Sequence, residues 1–80
     1  MKEQKKLLSE LKRGERAVVD SFTDYETSLK LLEMGCIPGE EIEVVRIAPL
    51  GDPMAITVSG YQLSLRKEEA AIVKVILIQK

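Results

Sequence analysis

Carboxylates offer this chain its most plausible chemistry. Glu40, Glu41 and Glu43 crowd one short segment, and Asp52 stands in a later loop beside Pro53. Hard oxygen ligands of this kind can hold a divalent ion weakly. Glu41 and Glu43, however, alternate with Ile42, the spacing of a strand face turned to water. Asp52 has the setting of a turn-former that hydrogen-bonds nearby amides. Histidine is absent, which removes the usual general base, the Ser-His and Cys-His pairs and the commonest zinc ligand. The single cysteine, Cys36, has no partner for an internal disulfide and reads as a small buried hydrophobe. No glycine loop ends in Gly-Lys-Ser/Thr to cradle a phosphate. The residues therefore suggest no catalytic, cofactor-binding or metal centre, and a non-enzymatic role is expected.

Size and charge narrow the classes further. Eighty residues make one domain, expected over 1–80, with 1–6 as a frayed tail. A chain this short buries only about 60% of its unfolded surface and has no spare core for a deep cleft. The apolar runs Ala70 to Val73 and Val75 to Ile78, split by Lys74, fall well short of the roughly 20 residues that span a bilayer. The start, Met1-Lys2-Glu3-Gln4-Lys5-Lys6, has no apolar run behind it, so no signal peptide is expected. A lone cysteine suits a reducing cytoplasm. Charge is uneven: residues 1–16 carry six bases and three acids, residues 17–45 one base and seven acids. The acidic middle argues against a nucleic-acid role.

These side chains need elements to hold them. Leu7, Leu8 and Leu11 predict a turn of helix on the core, and Ala17-Val18-Val19 with Phe22 a first strand. Thr23 and Glu26 have capping-box spacing and predict a helix that runs to about Met34. Its apolar residues form two stripes. Tyr25, Leu29 and Leu32 make one; Leu31 and Met34 make the other. Either the helix wedges into the core, or one stripe awaits a partner. Gly35 is the expected left-handed cap, and Pro38-Gly39 the centre of a type II turn. A second strand follows over Glu41 to Ala48. Pro49, Gly51 and Pro53 mark an irregular loop, where Leu50 either folds back as a plug or protrudes. Met54 to Val58 and Tyr61 to Leu65 alternate as a hairpin across Ser59-Gly60. Tyr61 should pack its ring and keep its hydroxyl at the rim. Arg66 to Ala70 fits one helical turn, and Ile72 to Ile78 a last strand. The prediction is a mainly β fold: a small five-stranded SH3-like barrel, with one short helix between strands one and two and a helical turn before strand five.

Landmarks in this order also resemble a known family. Leu31-Leu32-Glu33-Met34-Gly35, Ile37-Pro38-Gly39, the run Val44 to Pro53, and Gly60 to Ala70 are similar to the FeoA family, the small component of bacterial ferrous-iron uptake systems. The resemblance covers residues 7 to 77. Gly35, Pro38, Gly39, Pro49, Gly51, Pro53 and Gly60 carry it, and they are structural positions. Arg13 stands where the family often has proline, and Cys36 where it usually has an aliphatic residue. The resemblance implies an SH3-like barrel and a cytosolic accessory protein of ferrous iron transport. Its implied partner is a membrane iron transporter of the FeoB kind, with a cytosolic GTP-binding domain. Membrane contact would then be indirect, at the inner face of the cell membrane.

Three functions compete. The first is a binding regulator of that transporter, with Tyr25, Leu29, Leu32 and Leu50 as its contact residues. The alternative is stand-alone sensing of iron or manganese, related to the C-terminal domain of iron-dependent repressors and using Glu40, Glu41, Glu43 or Asp52. The chain has no helix-turn-helix ahead of the barrel, so a complete repressor is not expected. The third is recognition of a proline-rich peptide or of nucleic acid, which needs aromatic platforms. Phe22, Tyr25 and Tyr61 are the only aromatics, which disfavours it.

Overall fold

Apolar and polar residues alternate along most of the chain, and the strands follow. The structure is a computed structural model that describes residues 4–78. Its elements are β1 (Lys5–Leu7), a 3-10 turn (Leu8–Glu10), β2 (Arg16–Phe22), α1 (Tyr25–Glu33), β3 (Glu41–Ile47), β4 (Met54–Val58), β5 (Tyr61–Leu65), α2 (Lys67–Ala70) and β6 (Val73–Leu77). Six antiparallel strands form one sheet in the order β1-β6-β2-β3-β4-β5. The mainly β class is therefore as expected, with one strand more than predicted.

The added strand corrects the expected frayed tail. Lys5, Lys6 and Leu7 pair with Ile76, Val75 and Lys74 of β6, and the Leu77 amide donates to the Gln4 carbonyl at 2.9 Å. Lysines on an edge strand read as solvated chain, because pairing there uses backbone and leaves the charges in water. Residues 1–3 of that expected tail lie outside the described residues. The sheet is also not closed by hydrogen bonds among the described residues: β1 and β5 are its two edges.

One sheet must enclose the whole core. Leu8, Ala17, Val19, Ile42, Val44, Ile56, Val58, Leu65, Val73 and Val75 are buried in a single cluster, joined by Leu31 and Cys36. Two irregularities let the strands bend around it. The β2–β6 register shifts between Val19 and Ser21, and the β3–β4 register between Val44 and Arg46. Each adds one residue to its strand and resets the alternation. Phe22 and Ile47 thereby pack against the core three positions after Val19 and Val44; plain alternation would turn them away.

The helix is fixed at both ends. Its N-cap is Asp24, whose carboxylate accepts from the Thr27 amide at 2.9 Å. That corrects the expected Thr23–Glu26 box. The Thr23 amide instead donates to the Ile72 carbonyl at 2.8 Å, which keeps Thr23 with the sheet. At the other end the Cys36 amide donates to Leu31 at 3.0 Å and the Gly35 amide to Leu32 at 3.1 Å. This is a Schellman pair, with buried Cys36 and Leu31 as its apolar contact. Gly35 has φ +99. Above it the Tyr61 hydroxyl donates to the Met34 carbonyl at 3.0 Å, so a carbonyl left open by the helix end is satisfied from β5. A Cβ at Gly35 would stand 2.0 Å from that hydroxyl.

Gly35→Ala should therefore cost about 1–2 kcal/mol for the left-handed backbone, plus the displacement of Tyr61. Tyr61→Phe alone should cost about 1 kcal/mol. Urea unfolding of both single variants and the double variant checks the pairing. The double variant should be more stable than additivity predicts, because the phenyl ring relieves the clash.

Candidate functional site

The predicted contact residues on α1 face solvent. Tyr25, Leu29 and Leu32 are 77%, 46% and 37% exposed, while Leu31 is fully buried and Met34 half-buried against the core. One stripe thus packs inward and the other stays open. Leu50 protrudes, 92% exposed, and does not plug the core. Ile37 is a further exposed apolar residue that the sequence reading did not single out. A lone isoleucine before Pro38 carries no period by which to place it. Tyr61 departs from expectation in part: it is exposed rather than packed on the core, while its hydroxyl is held at the end of α1.

The loop with Leu50 meets α1 on another side. Its Asp52 and Pro53 line an open cleft of about 550 Å³ with Lys30, Met34, Ser64, Arg66 and Glu69. Lys30 and Met34 leave the helix about 100° and about 140° around the axis from Leu29. The stripe and that loop therefore flank the helix from different directions. Asp52 holds the loop in place by accepting from the Lys67 amide at 3.1 Å.

Across the cleft, Glu69 ties α2 to α1. Its carboxylate lies 2.6 Å from the Lys30 ammonium and accepts from the Arg66 amide at 2.8 Å. The Lys30 hydrogen bond, then the Arg66 amide, hold the Glu69 carboxyl below its ordinary range. Glu69 is buried although charged, and these two partners replace its water.

Three of the four carboxylates considered for a metal are engaged elsewhere. Glu41 accepts from Arg16 Nε at 2.8 Å, while Glu43 lies opposite Arg16 in the β2–β3 register without an ion pair of its own among the described residues. Hydrogen bonding to Glu41 and the charges of Glu41 and Glu43 raise the Arg16 pKa. The cation between these acids is thus a guanidinium. Glu40 accepts from the Ser59 hydroxyl at 2.6 Å, which pins the β4–β5 turn, where Ser59 and Gly60 have φ 51 and 84. Asp52 belongs to the loop just described. No group of three or more His, Cys, Asp or Glu able to hold a metal occurs among the described residues. Burial pushes the Cys36 thiol up to about 11, which leaves it protonated and unreactive near neutrality. No helix of the described residues is long and apolar enough to cross a membrane.

A model of the FeoA domain matches residues 6–77. The chain belongs to the FeoA family. It is 43% identical over 72 residues to the Fe(2+) transport protein A/Fe(2+) transporter FeoB fusion protein of Porphyromonas gingivalis. That match covers 89% of the chain but only 8% of the relative's length. The FeoA-like protein of Clostridium acetobutylicum shares 32% identity at a TM-score of 0.89, covering 100% of this chain and 93% of that one. Stenotrophomonas maltophilia FeoA, solved with zinc, shares 36% identity at 0.74, covering 85% and 86%. It is described as a procaryotic SH3 domain protein and a candidate ferrous iron transport activating factor. These relatives link the FeoA family to bacterial ferrous iron transport and make the SH3-like character a family property. A manganese-dependent transcriptional repressor matches at a TM-score of 0.85 over 98% of this chain and 44% of its own, at 11% identity. That likeness is one of fold alone.

The Lys30–Glu69 tether sets an acid limit. Because the Glu69 carboxyl is depressed in the folded state, its stabilisation is present above the unfolded value, about 4.3, and is lost as pH falls through the folded value. Glu69→Gln should cost about 1 kcal/mol at neutral pH, since Lys30 is largely exposed. That difference should shrink below about pH 4, as followed by urea unfolding across pH.

Proposed function

We propose that this chain is a cytosolic, non-enzymatic accessory protein of ferrous iron transport. It binds and regulates a membrane iron transporter that carries a cytosolic G-protein domain, of the FeoB kind. The observation that carries the reading is the open α1 stripe of Tyr25, Leu29 and Leu32, a row of apolar side chains on a short helix whose core needs are already met by Leu31. Exposed apolar rows of this kind mark protein contacts. The fusion of a FeoA segment and a FeoB transporter in one P. gingivalis polypeptide supports FeoB as the partner. Leu50 is a second, separate contact point, reached by a partner that spans the cleft beside Lys30. The landmark residues act indirectly: Gly35 stops the helix and orients the stripe, and Pro38-Gly39 return the chain to the sheet. Membrane contact in this scheme comes through the partner.

Replacement of an exposed stripe residue separates docking from folding. Leu29→Asn should weaken binding to the full-length transporter of the same organism, held in nanodiscs, by about tenfold or more. Its unfolding free energy should stay within about 0.5 kcal/mol of the parent. Binding should be measured with GDP, with a GTP analogue and without nucleotide. Unchanged affinity in every nucleotide state would sink the proposal.

A further inference from the structure

Resting on the docking role of α1, we infer that its partner presents an apolar groove rimmed by basic side chains, and that charge draws the two together. Glu26 and Glu33 lie one turn before and one turn after Leu29 on its solvent side. Both are exposed, and neither has an ion pair or hydrogen bond among the described residues. Asp24, the N-cap, adds a carboxylate at the N-terminal end of the helix, where it accepts from the Thr27 amide.

The helix has one cation to offset them, and it is engaged elsewhere. Lys30 shares a shallow cleft with Glu26, Arg66, Glu68 and Glu69, three acids against two bases, and its ammonium is held at 2.6 Å by Glu69. The stripe is therefore an apolar strip under a net negative field. This fits the wider segment 17–45, with one base against seven acids. A groove with uncharged or acidic rims would strand Glu26 and Glu33 without partners or repel them. An anionic lipid surface is disfavoured for the same reason. The shallow basic cleft of Lys5, Lys6 and Lys74 sits on β1 and β6, away from this helix. Complementary rims act mainly on the rate of encounter, which falls as salt screens them.

The test is biolayer interferometry of the full chain against the full-length FeoB transporter of the same organism in nanodiscs, at about 50 and about 300 mM NaCl. The parent should associate about tenfold faster at low salt. The double variant Glu26→Lys with Glu33→Lys should associate about tenfold more slowly at low salt and lose most of the salt dependence. Glu26→Gln with Glu33→Gln should fall between, which guards against a helix weakened by misplaced charge. Salt-independent association of the parent, or charge-reversed variants that bind like the parent, would overturn the inference. So would binding to empty nanodiscs of anionic lipid, or self-association in ultracentrifugation that the reversal abolishes. If Leu29→Asn abolishes transporter binding while the reversal leaves it intact, docking stands and the basic rim falls. If Leu29→Asn binds as the parent does, both fall.

Discussion

A single sheet has to supply every wall of this protein's core. The chain is too short to stack a second layer, so six strands must bend round one apolar cluster. That demand explains the shifts after Val19 and Val44, which rotate Phe22 and Ile47 inward. It also explains why α1 lies where it does. The helix contributes Leu31 to the cluster and has no second layer against which to bury its remaining apolar residues.

The sequence shows this arrangement unevenly, and the unevenness has physical causes. Period-two runs such as Met54 to Val58 and Tyr61 to Leu65 declare their strands, and Gly35 declares the helix end, because each has one comfortable backbone solution. The Val44-Val45 doublet does not reveal its irregularity, since either valine suits an inward face. Lys5 and Lys6 hide β1, because edge pairing depends on backbone and not on side-chain type. Thr23 and Asp24 are both good caps; the sheet's claim on the Thr23 amide decides between them. At the site, the Tyr25–Leu29–Leu32 stripe is legible from spacing, but its exposure is not. Two stripes on one helix look alike until the core chooses Leu31. The Lys30–Glu69 tether joins residues far apart in sequence, with no local signal to announce it.

Several carboxylates are answered from within. Arg16 settles Glu41, Ser59 settles Glu40, and Lys30 settles Glu69. The first two bind neighbouring strands and turns; the third joins the two helices. Three of the four carboxylates that first suggest metal chemistry thus serve the fold. Glu26 and Glu33 have no such partner among the described residues, and along α1 apolar and acidic side chains share one face.

The Schellman closure at Gly35 has a kinetic consequence. It limits α1 to nine residues, a rod of about 13 Å. In the proposed docking role, a footprint set by such a rod is much smaller than the roughly 800 Å² that each partner commits in a standard interface. Contacts of that size give short residence times and exchange readily. Covalent linkage to a partner would replace free concentration with a high local one, so a brief contact could recur many times without tight binding. Under that proposal, a glycine that ends a helix early favours a partner that is sampled repeatedly over one that is held.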